Sequence, residues 1–99
     1  MKIKDLPNAP DWLLNAKTFE ADVEIVDSEL HWFRGDWLRG NFENGHWHSG
    51  RFLNGTFKGR WHTGNFLNGS FAGTACHSIR FFGGTYDAKC KPENITRFI

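Results

Sequence analysis

Through the middle of the chain one aromatic recurs every four or five residues, and each stands two places after a glycine. The aromatics are Trp37, Phe42, Trp47, Phe52, Phe57, Trp61, Phe66 and Phe71, and the glycines run from Gly35 to Gly69. Gly73 breaks the series, with Ala75 where an aromatic would stand. The other positions of each unit are small, polar or variable, as in Gly40-Asn41-Phe42-Glu43-Asn44 and Gly64-Asn65-Phe66-Leu67-Asn68. Self-similarity at so short a period predicts a repeat architecture. One unit alone buries almost nothing, so stability must come from stacking neighbours. Aromatics stacked one above another form the expected core, each contributing about 1.5–3 kcal/mol when buried.

The flanks carry different patterns. Residues 16–32 alternate polar and apolar positions, in Ala21-Asp22-Val23-Glu24-Ile25 and Ser28-Glu29-Leu30-His31-Trp32, which predicts strands. Upstream, Pro7 and Pro10 precede Asp11-Trp12-Leu13-Leu14, which predicts one helical turn with Asp11 as its N-cap. The expected organisation is a single domain over 1–99, with an N-terminal cap (1–15), β repeats (16–90) and a C-terminal segment (91–99). In that segment Ile95, Phe98 and Ile99 would close the stack or form a dimer seam, since an open sheet edge invites association.

The glycine–aromatic unit resembles that of pentapeptide-repeat proteins, in which a small and a large apolar residue point inward with Asp or Asn often between. Ala21-Asp22-Val23 fits that pattern best; elsewhere Gly replaces Ala and Phe or Trp replaces Leu, and the units at Gly55 and Gly69 have four residues. The resemblance covers about two-thirds of the chain and implies a right-handed, four-sided β-solenoid. A longer period of 14 is nested within it: the block opening Arg51-Phe52-Leu53-Asn54-Gly55 aligns with the one opening Asn65-Phe66-Leu67-Asn68-Gly69. Such a period also suits a strand–turn–strand unit resembling MORN repeats, and Asn-Gly pairs at 44–45, 54–55 and 68–69 favour two-residue hairpins. The expected fold class is all-β, a short repeat β-solenoid, with a twisted antiparallel meander of MORN type as the alternative.

Composition then narrows the partners. Twelve basic and 11 acidic residues leave a formal charge of +1 without any block of one sign, so a nucleic-acid partner is not expected. No apolar run approaches the roughly 18 residues of a membrane span. The segment Met1–Pro7 lacks the apolar centre of a signal peptide. A cytoplasmic protein is expected, with its two cysteines as thiols.

The most unusual chemistry is a column at spacing 14: His48, His62, Cys76 and Cys90. Two histidines and two cysteines match a zinc set, but one residue per layer, about 4.8 Å apart, spreads them too far for a single ion with bonds of about 2.0–2.3 Å. No metal site is expected there, although adjacent layers could bring Cys76 near Cys90 for an opportunistic disulfide. The other histidines, His31, His46 and His77, fall at variable, outward positions. Cys76 and His77 are neighbours on a strand and point to opposite faces. Asp22, Glu24, Asp27 and Glu29 read as a solvated strand face. No catalytic residue, enzyme activity or cofactor is expected.

Binding surfaces are the better expectation. Arg34, Arg39, Arg51, Lys58 and Arg60 lie at outward positions. Trp32 and Phe33 are adjacent and cannot both point inward, so they mark a contact patch, with Phe81-Phe82 second. The expected partner-binding residues are Trp32, Phe33, Arg34, Arg39 and Arg60. Gly/Trp/Phe pentads of this kind also resemble small proteins of tailed phages. That resemblance implies a non-enzymatic module that inhibits or redirects a bacterial host protein or complex, for instance a defence nuclease or a topoisomerase. Pentapeptide-repeat topoisomerase inhibitors imitate DNA through acidic faces, and the near-neutral charge departs from this. The alternatives are a structural piece of a virion, and a carbohydrate or single-stranded nucleic-acid binder using exposed tryptophan.

Overall fold

The computed structural model describes residues 1–87 and 95–97, so the expectations for Cys90, Phe98 and Ile99 lie outside the described residues. The chain enters through a 3-10 turn (Ile3–Asp5) and a four-residue helix α1 (Asp11–Leu14). Two long strands follow, β1 (Lys17–Val26) and β2 (Glu29–Arg39). After them come short strands: β3 (Asn41–Phe42), β4 (His46–Trp47), β5 (Arg51–Phe52), β6 (Thr56–Phe57), β7 (Arg60–Trp61), β8 (Asn65–Phe66), β9 (Ser70–Phe71), β10 (Ala75–Cys76), β11 (Ile79–Phe81), β12 (Thr85–Tyr86) and β13 (Ile95–Arg97).

From β3 to β9 each short strand consists of an outward residue and an inward aromatic, and a glycine corner separates it from the next. Three corners return the chain above its start, so consecutive coils pair in parallel. The first side stacks β2, β4, β7 and β10; the second stacks β2, β5, β8 and β11. The third stacks β3, β6, β9 and β12. The result is a β-solenoid of about four turns. Its coil is three-sided, because three five-residue units close a turn; the four-sided section implied by the pentapeptide resemblance does not form. Parallel pairing likewise excludes the antiparallel meander.

The Asn-Gly pairs therefore sit at coil corners rather than in hairpins. The antiparallel hairpin lies elsewhere, between β1 and β2, where Asp27 and Ser28 both take positive φ (52° and 67°) between the paired Val26 and Glu29. Two left-handed residues in a two-residue loop match the twist of the flanking strands. At the N-terminus, Pro10 takes the N-cap position, and Asp11 is the first helical residue. Leu13 is buried, and Trp12 lies over Phe42 and Trp37, at 5.1 and 6.3 Å between ring centroids.

The interior is three columns of rings: Trp32–Trp47–Trp61, Trp37–Phe52–Phe66–Phe81 and Phe42–Phe57–Phe71–Tyr86. Within a column the rings stack nearly parallel, as for Trp32 over Trp47 (4.8 Å, 7°) and Phe52 over Phe66 (4.9 Å, 7°). Between columns they meet edge-to-face, as for Phe57 with Trp61 (87°) and Phe66 with Phe71 (89°). Both arrangements suit the quadrupoles of aromatic rings. Outside this core the backbone is tied rung to rung. The residue after each aromatic donates its N–H to the aromatic's carbonyl one coil below, as in Leu53 to Trp37, Lys58 to Phe42 and Leu67 to Phe52, each 2.8 Å. Arg97 covers the far end of the core, its guanidinium 5.4 Å from the Phe81 ring centre and 5.9 Å from that of Tyr86.

Two substitutions test this account. Gly55 has φ +118°, and a Cβ there would overlap the Gly40 carbonyl. Gly55→Ala is expected to cost about 2–4 kcal/mol, combining strain and overlap. Phe57 is fully buried between Phe42 and Phe71. Phe57→Ala is expected to cost about 3–5 kcal/mol. Urea unfolding followed by tryptophan fluorescence measures both, and a loss below 1 kcal/mol at either would contradict the packing described.

Candidate functional site

Because every coil repeats the same backbone, its outward residues also form columns. The first side carries two. One is His31–His46–Arg60–Ala75, from the residues preceding the inward ones. The other is Phe33–His48–His62–His77, from those following; the N–H of His48, His62 and His77 bonds the carbonyls of Trp32, Trp47 and Trp61. All five histidines of the chain thus gather on one face.

Their rings form a continuous stack. His31 lies 4.5 Å from His46 and 5.1 Å from His48; His48 lies 4.8 Å from His62 at 4°, and His62 lies 5.4 Å from His77. His31 Nδ1 and His48 Nε2 share a hydrogen bond of 2.9 Å. His46 Nε2–H donates to Glu29 Oε2 at 2.5 Å, and this bond, chiefly, lowers the Glu29 carboxyl pKa. His48 and His62 are held below the usual histidine range, first by burial and then by the neighbouring imidazoles. His62 Nε2 is buried without a hydrogen-bond partner among the described residues, which further disfavours a proton on it.

The column expected at spacing 14 is corrected by one residue. Cys76 pairs with Trp61 and takes the inward position of its coil, while His77 continues the histidine stack. The spacings of the inward positions Trp32, Trp47, Trp61 and Cys76 are 15, 14 and 15 residues. Cys76 is disulfide-bonded, so the expectation of a thiol fails there. His31, His46, His48 and His62 are half-buried by their mutual stacking, and His77 alone is exposed.

Of the five expected contact residues, Trp32 is 0% exposed and belongs to the core, where it stacks on Trp47. It cannot touch a partner without opening the solenoid. Phe33 points outward, 36% exposed, and stacks on His48 at 5.0 Å. Arg60 shares that face, with Nη1 3.4 Å from His46 Nε2. Arg34 turns away to Asp22 on β1, at 3.4 Å. Arg39 ends β2, opposite Lys17.

The second side holds a feature that sequence reasoning passed over. Leu38, Leu53, Leu67 and Phe82 follow the inward residues Trp37, Phe52, Phe66 and Phe81 and form an outer apolar stripe. Backbone bonds from Leu53, Leu67 and Phe82 to the coil below fix its register at 2.8 Å each. Leu38 and Phe82, at its two ends, are each 38% exposed. Beside it runs a polar column, Asp36–Arg51–Asn65–Arg80. Arg51 Nε and Nη2 bond both carboxylate oxygens of Asp36 (2.9 and 2.6 Å), and Arg80 Nη1 donates to Asn65 Oδ1 at 3.1 Å. The repeated Leu-Asn-Gly after Phe52 and Phe66 was the available signal. The third side is polar, with a column Asn41–Thr56–Ser70–Thr85.

No family model, curated protein or solved structure matches the chain. Among the described residues no helix is long and apolar enough to cross a membrane.

The histidine face should make stability depend on pH. Unfolded histidines titrate near 6.5, whereas folded His48 and His62 sit lower. Their stabilisation is fully present above pH 6.5 and is lost as pH falls from there towards their folded pKa values, because only the unfolded chain takes up the protons. Urea unfolding in EDTA-containing buffer should show stability falling as pH drops below about 6.5, with a shallower fall for His62→Gln. A flat profile over that range would contradict the shifts.

Proposed function

We propose that this chain is a non-enzymatic protein-binding module that presents a rigid β face to a macromolecular partner. The observation that carries the reading is the outer stripe of Leu38, Leu53 and Leu67, continued to Phe82. These side chains are held at one azimuth by the backbone ladder, with a roughly 4.8 Å step between rungs. A solenoid stable through its inner rings has no need of an apolar column outside. Leu38 and Phe82 are exposed and Leu53 and Leu67 half-buried, and an apolar patch outside the core, rimmed by polar groups, is a mark of protein contact. The Asp36–Arg51 pair and the Arg80–Asn65 bond supply that rim. Phe33 and Arg60 offer a second, more polar contact area on the histidine side.

Within this reading the partner is a host protein or complex, and the phage-type inhibitor suggested by the pentad text is its most specific form. The disulfide at Cys76 weighs against the expected cytoplasmic address, since reducing compartments keep thiols reduced. It also removes Cys76 as a nucleophile beside His77. The carbohydrate or single-stranded nucleic-acid reading is disfavoured because it needs exposed tryptophan. Trp32, Trp37, Trp47 and Trp61 are buried, and Trp12 is half-buried against the core.

The test is affinity capture from bacterial lysate with tagged protein, followed by reconstitution with the purified prey. A stable 1:1 complex, lost by at least tenfold in Leu53→Glu/Leu67→Glu but kept in Lys58→Glu on the third side, is the expected result. Circular dichroism of the variants shows whether the solenoid persists. Bait recovering only itself, with concentration-dependent oligomers, would favour the structural reading or a homodimer.

A further inference from the structure

The geometry points to a binding site for a transition-metal dication, built from Glu29, His31 and His46 at the base of the histidine face. Their candidate ligand atoms all lie within 4.8 Å of one another. The topology explains the convergence. Glu29 and His31 are two apart on β2 and project to the same side of the strand. His46 sits in register with His31 on the coil above. A tetrahedral ion with bonds of about 2.0–2.2 Å wants ligand atoms roughly 3.3–3.6 Å apart. Small side-chain rotations close that gap, and His46 and Glu29 are already in contact.

Three features favour an ion of this class. Two imidazoles with one carboxylate suit zinc, copper or nickel, and do not suit magnesium or calcium, which prefer oxygen ligands. His48 Nε2 bonds His31 Nδ1 at 2.9 Å and so orients that ring, as an outer partner does for a metal-bound histidine. The place is also already one for positive charge. Arg60 Nη1 lies 3.9 Å from Glu29 Oε2 and 3.4 Å from His46 Nε2. The Arg60 side chain is more than half exposed, so an entering dication displaces it into solvent. With three protein ligands, the fourth position is left to water or to a group from a partner. The site does not depend on the apolar stripe of the second side.

The test titrates the untagged 99-residue chain with Zn²⁺ by isothermal calorimetry, with Mg²⁺ as the contrasting ion. One equivalent of Zn²⁺ should bind saturably, and Mg²⁺ should not. Glu29→Gln and His46→Gln should each weaken Zn²⁺ binding at least tenfold. His77→Gln, in the same stack but far from the cluster, should leave it unchanged, and Arg60→Ala should tighten it. In the wild type, imidazole resonances of His31 and His46 should shift on zinc addition while those of His77 do not, a readout that needs no variant to fold. No saturable uptake, wild-type affinity in His46→Gln, or equal loss in His77→Gln would overturn the assignment.

Discussion

Everything in this fold depends on the fixed separation between parallel strands. Backbone hydrogen bonds hold successive coils about 4.8 Å apart, close to the distance at which flat rings pack face to face. One aromatic per side per coil then fills the interior, as the Trp32–Trp47 and Phe52–Phe66 stacks show. A coil of only three units leaves no room for a side chain at the corners. Gly40 and Gly55, one above the other, approach so closely that even a methyl group is excluded. The glycine period and the aromatic period are therefore one constraint seen twice.

That coupling is why the architecture could be read from the sequence and why its cross-section could not. The repeat of aromatic and glycine demanded stacked coils, and parallel pairing of β4 with β7 and of β5 with β8 bears this out. The number of sides follows from how many units close a turn, and a five-residue motif is silent on it. The histidine column shows a finer limit. A single four-residue unit between Phe57 and Trp61 makes one coil 14 residues long among coils of 15, so a strict period of 14 set Cys76 under His62. The chain sets His77 there instead. A one-residue slip exchanges inside for outside in any strand; here it puts Cys76 on the inward side and brings His77 into the histidine column.

The candidate sites were legible only in part. That Phe33 and Arg60 face outward was legible, because adjacent aromatics cannot both be buried and because charge prefers solvent. Which of Trp32 and Phe33 faces in was decided by register with Trp47. The stripe through Leu38, Leu53 and Leu67 and the meeting of Glu29 with His46 were missed for a common reason. Both join residues from different coils, and outward residues align only once the coil length is known. Inner rings are bound by shape, whereas outer columns meet no such demand and are free to carry chemistry.

The antiparallel hairpin of β1 and β2 has a kinetic meaning. Among the described residues it is the one antiparallel pair, and its strands are joined by a two-residue turn, so it can form before any coil exists. From β4 to β12 each strand needs only the one beneath it, reached by closing a loop of 14 or 15 residues. This topology allows assembly outward from the hairpin, every finished turn serving as the template for the next. A nascent chain leaving a ribosome would present its template first, and the order of synthesis would match the order of assembly.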